Sequence, residues 1–299
     1  MNILTKGILM NELIIKENGL SIEELSAQLG ASSTSKGPSI PTLKINSFGE
    51  DAAGNQIPLG AFFLNTNEDR VYAKEGVKLR AFSNHVQYQH WGDSKLINKS
   101  LLIKNQREEA RDQLGGFMCG MPTYEESIAM SPDERKNYEG RDRYRIIRGL
   151  VSYTGKTAQG KEATIENQPV ILSLKRKNYG PFYHDVIKKM SQGVNLWDFD
   201  CVLKAEKMRT DKGASYYVMH FSPQFGSPIP MDQLTYDSLS HVTDLITSEN
   251  KRINDAYNEV ALCIQGRLDE DDLKDLPLFI TGHSLGGALA TIAAKKLTH

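Results

Sequence analysis

Toward its end the chain reads LPLFITGHSLGGALATIAAKKL, and Ser284 is the residue there equipped for chemistry. A serine hydroxyl becomes a useful nucleophile only when the backbone presents it to substrate beside a base and oxyanion donors. The local pattern suits such presentation. The apolar run from Leu278 to Thr281 is expected to be a buried strand, and ALATIAAKKL the helix that follows. Between them, Gly282 and Gly286 permit a sharp turn around Ser284. The small residues Gly287, Ala288 and Ala290 would let the helix lie close to a sheet.

FITGHSLGGALA resembles the nucleophile elbow of the class 3 (fungal-type) lipases, which have the α/β-hydrolase fold. With the preceding INDAYNEVALCIQGRL, the resemblance covers about residues 253–299. It implies that Ser284 is the nucleophile and that the backbone N–H of Leu285 helps to bind the oxyanion. It also implies an Asp or Glu and then a His later in the chain, each on a loop after a further strand. No carboxylate follows Ser284 in this sequence, and the only later histidine is His299. On a continuous helix that residue would lie about 22 Å along the axis, far beyond the roughly 3 Å reach of a general base. His283, within the turn, reads as structural. Asp198 and His220 are upstream candidates that only tertiary structure could bring to Ser284, and RGLVSYTG at 148–155 is a poor substitute for the family's second oxyanion contact. The expectation is a truncated α/β-hydrolase strand-elbow-helix unit, a serine hydrolase in kind but inactive without its triad partners.

The remainder must position that unit or act independently of it. At 299 residues, 39% hydrophobic and 24% charged with a formal net charge of −1, the composition is that of a soluble globular protein. Overall charge therefore selects no partner. Cys119, Cys201 and Cys263 are widely spaced and lack C-x-x-C pairing, which argues against a disulfide framework or a zinc cage. No cofactor or metal is expected. No apolar run approaches the roughly 20 residues of a membrane span, and Glu12, Lys16 and Glu17 interrupt the apolar start, so the expected setting is cytoplasmic.

Three regions follow from texture. In residues 1–41, Ser21 with Glu24 forms a capping-box pattern that opens a short helix, and GASSTSKGPSIP reads as a flexible arm. Residues 42–230 are β-rich. Short runs (LKINSF, GAFFLN, RVYAK, VKLRAF, HVQYQHW, SLLIKN) lead to a Gly/Pro-broken connecting lobe at 107–141. Two strands with a turn between them follow, then a helix in GPFYHDVIKKMSQG, then a hairpin turning at Asp211 to Gly213. This outline suggests an OB-like barrel. Residues 231–299 are helical and then hold the lipase-like unit, making the fold class mixed α+β.

Charge is segregated along the chain. Residues 141–220 hold fifteen basic and eight acidic side chains, whereas residues 224–299 hold six and eleven. A basic β surface with interleaved aromatics suits single-stranded nucleic acid, because cations neutralise phosphates while rings stack on bases. Lys175, Arg176, Lys177, Lys204 and Arg209 are the phosphate candidates, with Tyr179 and Tyr216 for stacking. Trp197 and Phe199 alternate with Asp198 and Asp200 and read instead as core. PSIPTLKIN, YRIIRGLVSYTGKT and NLWDFDCVLKAEKMRTDKGASYYVMHFS resemble single-stranded DNA-binding proteins of tailed bacteriophages over about residues 38–230. That resemblance implies single-stranded DNA as partner, replication or recombination proteins alongside, and a host-cytoplasmic location. Single-stranded DNA binding is thus the leading expectation, with the incomplete serine ester hydrolase as the alternative.

Overall fold

A computed structural model describes residues 40–268, apart from 52–53, 67–69, 107, 109, 115–123, 137 and 139. All but Ile40 belong to one compact unit that starts at Pro41. The expected helix at 21–29 and the strand-elbow-helix unit around Ser284 lie outside the described residues.

The fold is mixed α+β and strand-rich, a strongly curled half-barrel sheet followed by a long helix. The strands are β1 (Thr42–Ile45), β2 (Phe62–Asn65), β3 (Val71–Tyr72), β4 (Lys78–Gly92), β5 (Lys95–Lys99), β6 (Arg141–Thr157), β7 (Glu162–Lys175), β8 (Cys201–Arg209) and β9 (Ser215–Pro223). Two short helices, α1 (Tyr124–Ala129) and α2 (Pro132–Lys136), occupy the connecting lobe, α3 (Pro181–Asp185) follows β7, and α4 spans Gln233–Leu268. The strand order is β2-β1-β7-β6-β4-β8-β9, with β3 on β6 and β5 on β4. This path runs from one edge strand to another, so the strand-rich expectation is met by a curled half-barrel, and the OB-like barrel order is not shown. The sheet is also mixed: β1 meets β7 in parallel at Thr42 and Ile171, while the other pairings are antiparallel.

VKLRAF and HVQYQHW, which read as two runs, are one fifteen-residue strand, β4. The join is a bulge between Ala81 and Ser83, where the pairing with β6 shifts register. A bulge reverses the phase of in-out alternation, so an unbroken strand looks interrupted in sequence. Gly149 makes the bulge possible: a Cβ there would stand 2.1 Å from the carbonyl oxygen of Arg80. The hairpin of β8 and β9 turns as expected, with Thr210 N–H donating to Ala214 O at 2.8 Å and Gly213 at φ 82°. The helix expected after β7 is shorter, only α3 and a following 3-10 turn at Ile187–Lys189.

One face of the sheet carries the main core. Phe62, Leu79, Ile147, Leu172 and Leu203 pack there with Phe182 and Val186 from the α3 region and with Phe199. Phe182 meets Phe221 edge-on, ring centres 5.0 Å apart. Phe199 is therefore core, as its alternation with aspartates indicates. The opposite face receives α4: Val242, Leu239 and Ile246 cover Phe82, Leu150 and the half-buried Trp197.

Candidate functional site

Ser284 and Leu285, the residues with the clearest chemical pattern, lie outside the described residues. What the structure supplies is the element leading toward them, α4, and the way it is fastened. Asp232 caps its start: Oδ1 accepts from Thr235 N–H at 2.8 Å and from the Thr235 hydroxyl. That aspartate is held below the ordinary carboxyl range by the hydrogen bonds from Thr235. Along the helix, Leu239, Val242, Ile246 and Ile253 fall at spacings of three, four and seven, which builds one apolar stripe toward the sheet.

Glu249 sits within that stripe. Its Oε1 accepts from Lys99 Nζ at 2.6 Å and Gln87 Nε2 at 3.1 Å, and its Oε2 from Arg148 Nη2 at 2.7 Å. Burial on its own would raise the Glu249 carboxyl; the hydrogen bond and charge of Lys99, then Gln87 and Arg148, hold it below its ordinary value. Arg148 is lowered by burial and partly restored by Glu249. The next residue, Asn250, exchanges two hydrogen bonds with the backbone of Leu102, 2.8 Å to Leu102 N–H and 3.0 Å to its carbonyl. A helix side chain thus takes the place of a neighbouring strand.

Among upstream triad candidates, Asp198 is committed to a capping box, its Oδ2 accepting from Asn195 N–H at 2.7 Å. His220 on β9 stands between two carboxylates, with Nδ1 3.5 Å from Asp185 Oδ2 and Nε2 3.1 Å from Glu206 Oε2. Asp185 is fixed in turn by Phe221 N–H at 3.2 Å. A general base requires one ring nitrogen oriented by a carboxylate and the other open to accept a proton; here the second nitrogen faces Glu206.

The residues expected at single-stranded nucleic acid fall into two neighbouring groups. Lys175 and Arg176 both reach Asp142, at 2.9 and 3.2 Å. Burial would raise Asp142, but these two cations hold it below its ordinary value. Lys177 is exposed in the 3-10 turn Arg176–Asn178. The ring of Tyr179 is buried against two guanidinium groups, 4.4 Å from Arg143 and 4.6 Å from Arg145, and its hydroxyl accepts from Gln106 at 2.9 Å. Lys204, Arg209 and Tyr216 belong to the β8–β9 hairpin, where alternation places Lys204 and Tyr216 on one face and Arg209 on the other. Asn178 ties the groups together: its amide donates to Tyr217 O at 3.1 Å and accepts from Met219 N–H at 2.6 Å.

Sequence reasoning passed over Asp142, Arg143, Arg145, Arg148, Asn178 and Glu249. Two signals were available. Arg141, Arg143 and Arg145 recur with strand period, and Glu249 occupies a stripe position of α4 between Ile246 and Ile253.

Residues 217–299 match the protein-family model described as Lipase (class 3). The match begins within β9, includes all of α4 and contains GHSLGG, so it extends well upstream of that run. It covers under half of the chain. No curated protein and no solved structure matches. Among the described residues no group of His, Cys, Asp and Glu could hold a metal ion, and no helix is long and apolar enough to cross a membrane.

Proposed function

We propose that this chain carries the nucleophile-bearing segment of a class 3 lipase-type serine ester hydrolase. The family match over 217–299, which contains Ser284 within the run GHSLGG, is the observation that carries it. In this reading Ser284 Oγ attacks an ester carbonyl, the Leu285 N–H helps to hold the oxyanion, the alcohol departs, and water releases the acid from the acyl-enzyme. The serine proton needs a base. His220, inside the matched segment and 3.5 Å from Asp185, is a described imidazole to test in that role, which would require its Nε2 to leave Glu206. A fluorophosphonate probe is expected to label the chain at Ser284 and to leave Ser284→Ala unlabelled. His220→Ala should slow labelling at least tenfold if His220 is the base, whereas an unchanged rate assigns the base elsewhere. No labelling of folded protein would refute the hydrolase reading.

A second reading keeps single-stranded DNA as a ligand of the half-barrel. It is favoured by the exposure of Lys177, Lys204 and Arg209 on the connected hairpin and turn.

A further inference from the structure

Among the described residues the buried arginines are Arg80, Arg145 and Arg148. A buried guanidinium ordinarily faces a carboxylate, because a charge taken out of water is costly unless it is paired. Arg148 has Glu249, and Arg80 lies within electrostatic reach of Asp232. Arg145 has no such partner. Its Nε donates to the Tyr179 carbonyl at 2.9 Å and its Nη1 to Asn84 Oδ1 at 2.7 Å, both neutral acceptors. Burial lowers the Arg145 pKa and the charge of Arg143 lowers it further, with Tyr179 and Tyr183 acting the other way.

Arg143 stands two residues earlier on the same face of β6. Both guanidinium groups pack on the Tyr179 ring, which holds their centres within about 9 Å of each other. The neighbouring carboxylates are turned elsewhere. Asp142, on the opposite face of β6, is held by Lys175 and Arg176. Glu108, two residues beyond Gln106, accepts from Lys104 N–H at 3.0 Å and from Asn105 Nδ2 at 2.8 Å. Two positive charges therefore share one ring, and no described carboxylate pairs with either.

The pair is reachable from solvent. Arg143 is half-buried, Gln106 is exposed, and Tyr183 on α3 is 45% exposed. Arg143 gives Nη1 to Gln106 Oε1 at 2.6 Å. Its Nε and Nη2, and the Nη2 of Arg145, make no hydrogen bond among the described residues. Unlike Nε and Nη1 of Arg148, these three donors are not sealed from water.

Free donors on two guanidinium groups select both charge and shape. A carboxylate brings one negative charge and would leave one cation uncompensated. A phosphate monoester carries about −1.5 to −2 at pH 7 and three acceptor oxygens, and the planar arginine fork fits such oxygens in pairs. The exposed ring of Tyr183 offers a flat surface to the organic group of the ester.

We propose that Arg143 and Arg145 form a binding site for a phosphate monoester, its oxygens taken by the free Nε and Nη2 donors and its organic group lying beside Tyr183. The site uses neither Ser284 nor the hairpin cations Lys204 and Arg209, so its test is independent of both functional readings. Phenyl phosphate titrated into the full chain in a calorimeter is expected to bind saturably below the millimolar range. Benzoate should bind at least about tenfold more weakly, and Arg143→Ala should weaken phenyl phosphate by a similar factor, the equivalent of one hydrogen bond to a charged group. Arg143 bonds only the exposed Gln106, so this variant should keep the fold. Arg145→Lys, which retains the charge but loses the fork, should weaken binding comparably. Competition then identifies the source of the phosphate. A single-stranded oligonucleotide with a 5′-phosphate that displaces phenyl phosphate better than its 5′-hydroxyl form supports a strand end; displacement by neither supports a small ester. Equal displacement by the two oligonucleotides would assign the arginines to internal phosphodiesters and overturn the proposal. So would an absence of saturable binding, equal affinity for benzoate, or wild-type affinity in Arg143→Ala.

Discussion

Replacing Glu249 with alanine should destabilise the half-barrel by about 3–5 kcal/mol, the cost of breaking a buried ion pair by removing one partner. The magnitude follows from what is left behind. Arg148, with a side chain 6% exposed, loses the carboxylate it pairs with, and Lys99, 15% exposed, loses the same group. Gln87 also forfeits one acceptor. The Arg148→Met, Glu249→Met pair should recover the Arg148 share of the loss, because that expense lies in the unpaired charge, while Lys99 stays without its carboxylate. Urea unfolding followed by tryptophan emission measures all three proteins. The acid limb gives a second reading: the Glu249 carboxyl is held below its ordinary 4.5 in the folded state. Its contribution is therefore complete above pH 4.5 and is lost as pH falls through the depressed folded value. The stability gap between wild type and Glu249→Gln should narrow over that acid range. A Glu249→Ala penalty under about 1 kcal/mol, or a double variant no better than the single ones, would refute the view that this cluster fastens the helix.

Two further perturbations test separate parts of the molecule. Gly149→Ala places a methyl group 2.1 Å from Arg80 O, against backbone that cannot swing aside, so thermal unfolding should show a loss of about 2 kcal/mol or more. For single-stranded DNA, the double variant Lys204→Glu, Arg209→Glu should weaken oligonucleotide binding and flatten its salt dependence by roughly 0.7 for each phosphate no longer neutralised; fluorescence anisotropy at several salt concentrations reads both, and an unchanged slope removes these residues from any such interface.

Short-range features were the legible ones. The β8–β9 hairpin, the β6–β7 pair and the long helix after Pro230 all announce themselves through turn residues and periodicity within a few positions. The bulge in β4 did not, because its effect on alternation mimics a break, and the glycine that permits it stands on another strand, at 149. Tyr179 looked like a free ring beside lysines; Arg143 and Arg145, over thirty residues earlier, pack against it. Lys175 and Arg176 looked like phosphate ligands, and Asp142 across the sheet pairs with both.

By itself the sequence determined that residues 42–230 are strand-rich, where the β6–β7 and β8–β9 pairs turn, that a long helix follows Pro230, and that Phe199 faces the core. Tertiary structure alone decided which charges are spent. Ion pairs such as Lys175 with Asp142 and Glu249 with Arg148 join residues 33 and 101 positions apart. Local periodicity reports only the face a residue occupies, whereas the fate of a buried charge depends on what the folded chain brings within hydrogen-bonding distance.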